Sequence, residues 1–161
     1  MAAQLPDRIL LNEEMMDLFS NPLEQYWIRY EKKRPQFYPL PDCIRGYVAN
    51  WEIRGGQLFL RGIDGNFEKR TIFFGVESAR YSIKTLFPRA NNRPVKASWY
   101  SGKLRIPRGK MTVYQHQDYN SRFEQEIIIT MEKGEVIKMV TLDYDKKSLV
   151  VNQLLKARTH A

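Results

Sequence analysis

Residues 46–63 read GYVANWEIRGGQLFLRGI, two runs of alternating apolar and polar residues on either side of the pair Gly55-Gly56. Two central glycines are typical of a two-residue β-hairpin loop, because both positions of that loop need a positive φ. The register that follows places the large apolar side chains of both strands on one face. The predicted pairs are Ile53 with Leu58, Trp51 with Leu60, and Ala49 with Gly62.

The next turn signal is Ser101-Gly102, which predicts a second hairpin between residues 96 and 106. Successive side chains of a strand point to opposite faces, so this hairpin has one apolar and one basic face. The apolar face holds the predicted pairs Trp99 with Leu104 and Ala97 with Ile106. The basic face holds Lys96, Ser98, Tyr100, Lys103 and Arg105.

A third turn lies near Glu132-Lys133-Gly134, between the runs EIIITM and EVIKMVTL. A two-residue and a three-residue loop both fit these residues, so the register stays open. Residues 68–76 and 81–86 are rich in aromatic and β-branched side chains and predict further strands. Short strands at near-regular spacing predict a mainly β fold, with an antiparallel, hairpin-rich sheet that forms a barrel or a sandwich.

One N-terminal amphipathic helix is predicted at about residues 22–31. Asn21 suits the N-cap, Pro22 suits the first turn, and apolar side chains follow at helical spacing. Residues 32–42 hold three prolines and predict an extended connector. We expect a β-domain over residues 43–151 and a frayed tail over residues 156–161, all within one domain of residues 1–161.

The chain of 161 residues holds one cysteine and two histidines, which excludes an intrachain disulfide and a Cys/His zinc site. We expect Cys43 to be a buried, inert thiol. The first apolar run is too short and too charged for a signal peptide, and no stretch approaches the roughly 18 apolar residues of a membrane span. These features predict a cytoplasmic protein with no cofactor, no metal and no membrane association. They leave its oligomeric state open.

The formal charge of +8 comes from one segment, residues 78–117, which holds nine Lys and Arg residues and no Asp or Glu. The rest of the chain holds 17 basic and 18 acidic residues and is close to neutral. Such an asymmetry concerns partners rather than the fold. The predicted binding residues lie in this basic segment, and they are Lys96, Tyr100, Lys103, Arg105, Arg89, Arg93, Arg108 and Lys110.

Two blocks of sequence carry a family resemblance. Residues 45–60 fit the pattern RGYxAxWEIxxxxLxL, and residues 86–109 fit LFP followed by SGxLRIPxG. Together they resemble a family of small, uncharacterised bacterial proteins, over roughly residues 23–139. The resemblance implies a bacterial origin and one intact domain, and it implies no activity. Related sequences have an aromatic-glycine stretch before the EIIITM run, where this chain has HQDYN.

The leading hypothesis is a non-enzymatic bacterial binding module that recognises a protein partner, for example as an inhibitor or immunity-type protein. Its positive surface would steer an acidic partner. The alternative is a nucleic-acid-binding β-domain that uses the basic segment, with aromatic side chains stacking bases beside the cations. The aromatic side chains in question are Tyr81, Phe87, Tyr100 and Tyr114. A solvated sheet face explains the same cations without any partner.

An enzyme built on His116 with Asp118 or Glu124 is a third hypothesis. A catalytic base needs an orienting partner and a nucleophile, and no Ser or Cys lies in a recognisable elbow or Cys/His setting. Glu52 is better explained by a surface ion pair, because the first hairpin places Arg61 diagonal to it. The sequence therefore favours binding over catalysis.

Overall fold

The computed structural model describes residues 4–115, 119–144 and 148–151. These residues form one ten-stranded sheet, an eight-residue helix and two short helical turns. The strands are β1 (Asp7–Leu11), β2 (Glu14–Leu18), β3 (Tyr47–Arg54), β4 (Gln57–Thr71), β5 (Gly75–Tyr81), β6 (Val95–Lys96), β7 (Gly102–Val113), β8 (Arg122–Glu132), β9 (Glu135–Asp143) and β10 (Ser148–Val151). The helical segments are α1 (Pro22–Arg29), α2 (Ile83–Leu86) and a 3-10 turn (Pro88–Ala90).

The sheet curls into a nearly closed barrel. Its main strand order is β2-β1-β3-β4-β9-β8-β7, with β5 and β6 on β4 and β10 on β9. The two end strands approach each other where the chain leaves β2: Phe19 N donates to Arg105 O at 2.7 Å, and Arg105 N donates to Ser20 Oγ at 3.2 Å. A barrel of this kind leaves few open strand edges. The described strand pairs are antiparallel, as predicted for a mainly antiparallel sheet, except that β1 pairs with β3 in parallel.

The hairpin of β3 and β4 has the predicted loop and most of the predicted register. Gly55 and Gly56 have φ values of 57° and 69°, and the pairs Trp51 with Leu60 and Ile53 with Leu58 are confirmed. The third predicted pair is wrong, because a bulge between Asn50 and Trp51 shifts the register. Ala49 therefore lies opposite Ile63 instead of Gly62.

The structure fixes the length of the β8–β9 loop, for which the sequence allowed two or three residues. Glu132 pairs with Glu135, so the β8–β9 loop consists of the two residues Lys133 and Gly134, with φ values of 47° and 78°. A second bulge follows between Thr130 and Met131.

The second predicted hairpin is wrong. β7 begins at Gly102 and pairs with β8, which places Leu104 opposite Ile129 instead of Trp99. The chain before β7 contributes only the two-residue strand β6, which pairs with β4. Lys96, Ser98, Tyr100, Lys103 and Arg105 therefore do not form one hairpin face.

The residues that were expected to form the first strand of that hairpin turn back instead. Tyr100 N donates to Ala97 O at 3.0 Å, which closes a tight turn. Within this turn the Trp99 indole N–H donates to Pro22 O at 3.0 Å, on the first turn of α1. The indole is thus held on the helix, so residues 97–100 cannot run beside β7 as a strand.

Residues 68–86 also differ from the prediction. The region 68–76 contains the end of β4, a turn and the start of β5 rather than one strand. The strand predicted at residues 81–86 is wrong, since β5 ends at Tyr81 and α2 follows. Ser82 and Thr85 cap α2 reciprocally: Ser82 Oγ accepts from Thr85 N, and Thr85 Oγ1 accepts from Ser82 N. This capping box outweighs the strand preference of the segment.

The helix α1 begins at Pro22, as predicted, and ends at Arg29, two residues earlier than expected. It is not the first element, because β1 and β2 precede it, so the division into an N-terminal helix and a β-domain from residue 43 is wrong. Its buried residues Pro22, Leu23 and Trp27 pack against the barrel. The core inside the barrel is made of large side chains from β1, β3, β4, β7 and β8, among them Ile9, Trp51, Leu58, Leu60, Leu104, Ile106 and Ile129.

Candidate functional site

The eight predicted binding residues are spread over four parts of the chain. Arg89 and Arg93 lie in and after the 3-10 turn, and Lys96 lies on β6. Tyr100 lies in the turn before β7. The remaining four lie along β7, and they are Lys103, Arg105, Arg108 and Lys110.

Three of these cations form ion pairs with carboxylates from outside the basic segment. Lys96 Nζ lies 3.2 Å from Glu135 Oε1, and Arg108 Nη2 lies 3.7 Å from Glu14 Oε2. Arg105 Nε donates to the carboxylate of Glu126. The segment is free of acids in sequence, but β2, β8 and β9 bring acids to it in space. Its electrostatic footprint is therefore weaker than its composition indicates.

Tyr100 is buried, with 5% of its surface exposed. Its hydroxyl donates to Lys103 O at 2.9 Å, and burial raises its pKa to about 12. A side chain in this position cannot stack on a ligand. The prediction of Tyr100 as an exposed binding residue is wrong for the same reason that the second hairpin is wrong.

Two of the other aromatic side chains that were considered for base stacking belong to the core. Tyr81 is buried and packs edge-on against Phe37 and Phe67, with ring centroids 5.1 Å apart in each pair. Phe87 stacks on Trp99 at a centroid distance of 5.8 Å. Tyr114 is 60% exposed. The nucleic-acid hypothesis thus loses most of its stacking surface.

The strongest surface feature is the turn between β4 and β5, which the sequence interpretation missed. Ile72, Phe73 and Phe74 are 96%, 88% and 77% exposed. We call these three residues the apolar tip. The sequence did contain a signal for an exposed turn, namely three consecutive large apolar residues next to Gly75. The residues were instead predicted to form a strand.

The turn that carries the apolar tip is well defined by polar contacts. Thr71 pairs with Gly75, so the loop has three residues, and Gly75 has a φ of 74°. Phe74 N donates to Thr71 Oγ1 at 3.1 Å. Loops of this type are built from backbone geometry and small polar residues. The turn does not require the apolar side chains that it displays.

The hairpin below the apolar tip projects from the barrel. All side chains of residues 69–78 are exposed except that of Thr71, which is half-buried. The base of the hairpin is held by the connector: Glu68 N donates to Gln36 O at 3.2 Å, and Phe37 bridges to Phe67. We call residues 69–78 the arm. A two-stranded hairpin in water is marginally stable, so an arm of this kind benefits from a surface to pack on.

A second feature that the sequence interpretation missed is the carboxylate of Asp7, which is fully buried. It accepts from Arg45 Nη2 at 2.8 Å, Ala49 N at 2.9 Å and the Trp51 indole at 3.0 Å. Burial raises the pKa of Asp7, and the charge of Arg45 opposes that rise. Three of the groups in the RGYxAxWEI block thus converge on one side chain, which gives the block a structural role.

A cavity of about 420 Å³ lies between the end of β2 and the strands β7 and β8. Arg105, one of the predicted binding residues, lies on its wall, and Glu126 faces it. Tyr144 donates its hydroxyl to Glu126 Oε2 at 2.7 Å. Glu126 is thereby held from two sides in a nearly buried position.

The remaining candidates have ordinary explanations or lie outside the described residues. Glu52 and Arg61 form the predicted ion pair, at 3.7 Å. Cys43 is buried and its thiol donates to Tyr47 O at 3.3 Å. His116 and Asp118 lie outside the described residues, so the enzyme hypothesis stays untested.

Among the described residues, no group of three His, Cys, Asp or Glu side chains is arranged to hold a metal ion. Within the same ranges, no helix has the length and apolar character needed to cross a membrane.

Comparison of the chain with family models, with curated proteins and with solved structures gives no match. The resemblance to a bacterial family therefore stays a prediction. The function has to be argued from the geometry of this chain alone.

Proposed function

We propose that the protein is a binding module that captures a protein partner by inserting the apolar tip into a pocket of that partner. The observation that carries this proposal is the near-complete exposure of Ile72, Phe73 and Phe74 at the end of a projecting hairpin. A buried phenylalanine removes about 150–250 Å² from water, so two of them with an isoleucine supply an anchor of the size found at interface hot spots.

The position of the apolar tip supports recognition over a folding role. The buried apolar residues that the structure describes form one core, and the apolar tip makes no contribution to it. Exposed apolar side chains lower solubility, and large contiguous ones mark interaction sites. The turn is held by Thr71 and Gly75, which leaves the choice of the three intervening residues free.

The charge of the chain indicates an acidic partner. The formal charge is +8, and Lys69 and Arg70 lie exposed directly below the apolar tip. A partner whose apolar pocket has an acidic rim would complement both features, because charge steers the encounter while the apolar anchor limits dissociation. In this proposal the cations of the basic segment that form no ion pair with a described residue, such as Arg89 and Lys103, act in steering rather than in contact.

The arm fits a protein better than a membrane surface. Membrane-binding segments carry clusters of about four to eight Lys and Arg residues. The arm instead carries charges of both signs, with Lys69 opposite Glu77. Just outside the arm, Arg80 lies 3.3 Å from Asp64. Mixed charge around an apolar centre is the usual composition of a protein interface.

A photo-crosslinking experiment tests the proposal directly. The photoreactive residue p-benzoylphenylalanine replaces Phe73 in one variant and Ile28 in a control variant, and both are irradiated in bacterial cells. Ile28 is also a large apolar residue, 78% exposed, on the outer side of α1. We expect an adduct with one defined protein from position 73 and none from position 28. The same adducts from both positions would contradict the proposal.

The captured protein is then purified and its affinity is measured with the intact chain. We expect Phe73→Ser to weaken the complex at least tenfold, which corresponds to about 1.4 kcal/mol, while Ile28→Ser leaves it unchanged. Equal affinities for the two variants would overturn the proposal. If the protein sediments with anionic vesicles and this depends on the apolar tip, the partner is a membrane and the proposal is overturned. If the adducts form only with a second copy of this chain, the apolar tip serves self-association instead.

A further inference from the structure

The cavity beside Arg105 is separate from the arm and has the size of a small-ligand site. Its volume of about 420 Å³ falls within the roughly 300–1,000 Å³ of ligand pockets in general. Among the described residues, its wall includes two cations, one carboxylate and three aromatic rings. These are Arg105, Arg122, Glu126, Phe19, Phe123 and Tyr144.

The charges in this cavity are arranged around Glu126. Its carboxylate accepts from Arg105 Nε on one oxygen and from the Tyr144 hydroxyl on the other. Both arginines lie close enough to Tyr144 to lower its pKa, although burial and Glu126 raise it overall. One carboxylate thus shares the wall with two guanidinium groups, and the described wall carries a net charge of about +1 at neutral pH.

Donor capacity remains after Glu126 is satisfied. A guanidinium has five N–H donors. Arg105 lines the cavity and uses its Nε for Glu126, and no described group accepts from its Nη atoms. Arg122 forms no ion pair within the described ranges. An anionic group that accepts from both arginines would be held as carboxylates and phosphates are usually held by arginine.

Part of the cavity wall is aromatic, and the rings are fixed by packing against one another. Phe19 packs edge-on against Phe123 at a centroid distance of 5.7 Å and stacks on Tyr119 at 4.9 Å. Two further lining residues are joined nearby, because Ser121 Oγ accepts from Gln115 N at 3.0 Å and donates to Gln115 O at 3.2 Å. The rings therefore offer a preformed surface to a flat or apolar body.

We propose that this cavity binds a small organic anion, with its carboxylate or phosphate group on Arg105 and Arg122 and its apolar body against Phe19 and Phe123. Glu126 is a positioning residue here, since its contact with Nε orients the guanidinium of Arg105 toward the ligand. The same carboxylate disfavours a second anionic group nearby, so the site selects ligands with one anionic end. The proposal is independent of the apolar tip.

The test is to titrate the protein with benzoate, phenyl phosphate and neutral benzamide. Binding is measured by isothermal titration calorimetry and by amide chemical-shift changes in NMR spectra. We expect saturable binding of at least one of the two anions, with shifts at Ser121 to Glu126, and at least tenfold weaker binding of benzamide. The relative affinities of benzoate and phenyl phosphate distinguish a carboxylate from a phosphate ligand. Equal affinity for benzamide, or no saturation by either anion at millimolar concentration, would overturn the proposal.

Two variants separate a specific site from a general effect of charge. Arg122→Gln removes a cation of the cavity, and Arg61→Gln removes one from β4, where it pairs with Glu52. Both lower the net charge equally. We expect the first to weaken anion binding at least tenfold and the second to leave it unchanged, with both chains equally folded by their amide spectra. Equal weakening in the two variants would show non-specific attraction and refute the site.

Discussion

Arg45 Nη2 lies 2.8 Å from Asp7 Oδ1, and both side chains are at least nine-tenths removed from solvent. The pair joins β1 to the start of β3, where the two strands run parallel. The Tyr47 ring lies beneath the guanidinium, with its centroid 5.2 Å away. The Tyr119 hydroxyl accepts from Arg45 Nη1 and donates to Asn21 Oδ1, which extends the cluster toward α1. An ion pair this deeply buried is costly to break, because the remaining charge has no water to solvate it.

Replacement of Arg45 by Met is therefore expected to destabilise the fold by about 3–5 kcal/mol at neutral pH. The measurement is the free energy of unfolding in urea. Arg8→Met is the matched control, since Arg8 and Asp17 form an exposed pair at 3.3 Å, which is worth at most about 1 kcal/mol. Equal losses in the two variants would contradict the role of burial.

The loss in the Arg45→Met variant should depend on pH in a defined direction. Burial raises the pKa of Asp7, and Arg45 opposes that rise, so its removal raises the pKa further. The protonated carboxyl is then favoured in the folded state, and stability falls as pH rises through the folded pKa. The pKa of Asp7 in the unfolded chain is about 3.9. We therefore expect a smaller loss of unfolding free energy at about pH 4 than at about pH 7. A pH-independent loss would be inconsistent with this mechanism.

Tyr100 should contribute stability that disappears at alkaline pH. Its folded pKa of about 12 lies above the ordinary value of 10.0, so the neutral phenol is favoured in the folded state. Its contribution is complete below pH 10.0 and is lost as pH rises through about 12. Tyr100→Phe removes the bond to Lys103 O and is expected to cost about 1 kcal/mol at neutral pH. Urea unfolding at about pH 9 and about pH 11 should show this gap closing; a constant gap would refute the assignment.

Gly134 should tolerate a side chain less well than Gly55, although both have positive φ values, 78° and 57°. A Cβ on Gly134 would lie 2.6 Å from Ala97 O, whereas a Cβ on Gly55 would meet no atom within 4 Å. Both Ala variants carry a conformational cost of about 1–2 kcal/mol. Only Gly134→Ala also strains the contacts that join the β8–β9 loop to the turn before β7. Thermal unfolding should rank Gly134→Ala clearly below Gly55→Ala, and the reverse order would show that the contact is unimportant.

The nucleic-acid alternative makes a quantitative prediction about salt. Seven contacts to a single strand, one for each predicted basic residue, would give a log-log slope of about −5 in binding constant against salt. Because Lys96, Arg105 and Arg108 are paired with carboxylates, four contacts remain, and we expect weak binding with a slope of about −3. Fluorescence anisotropy of labelled oligonucleotides from about 50 to 200 mM salt measures it. A slope near −5 would restore the nucleic-acid hypothesis.

The parts of the fold that the sequence predicted correctly are those set by neighbouring residues. The β3–β4 loop follows from Gly55-Gly56, and the start of α1 follows from Pro22, because turn and cap chemistry act within a few residues. The prediction of a hairpin at Ser101-Gly102 is wrong because β7 pairs with β8, which lies further along the chain. Local pattern does not specify which of two compatible strands will pair.

The candidate sites show the same division. Ile72, Phe73 and Phe74 could have been recognised as an exposed turn, since Gly75 follows them directly. The pairing of Arg105 with Glu126 could not, because it depends on the register of β7 against β8. Side chains that are distant in sequence meet only once the strands are in place.

The sequence alone determined a mainly β chain, the β3–β4 turn, the start of the helix and the excess of positive charge, because each depends on composition or on residues a few positions apart. Tertiary structure alone decided the near-closure of the barrel through Phe19 and Arg105, the burial of Tyr100, and the convergence of Asp7 with Arg45. It also decided how much of the positive charge stays unpaired. These features depend on long-range strand order and on removal from water, which no local pattern encodes.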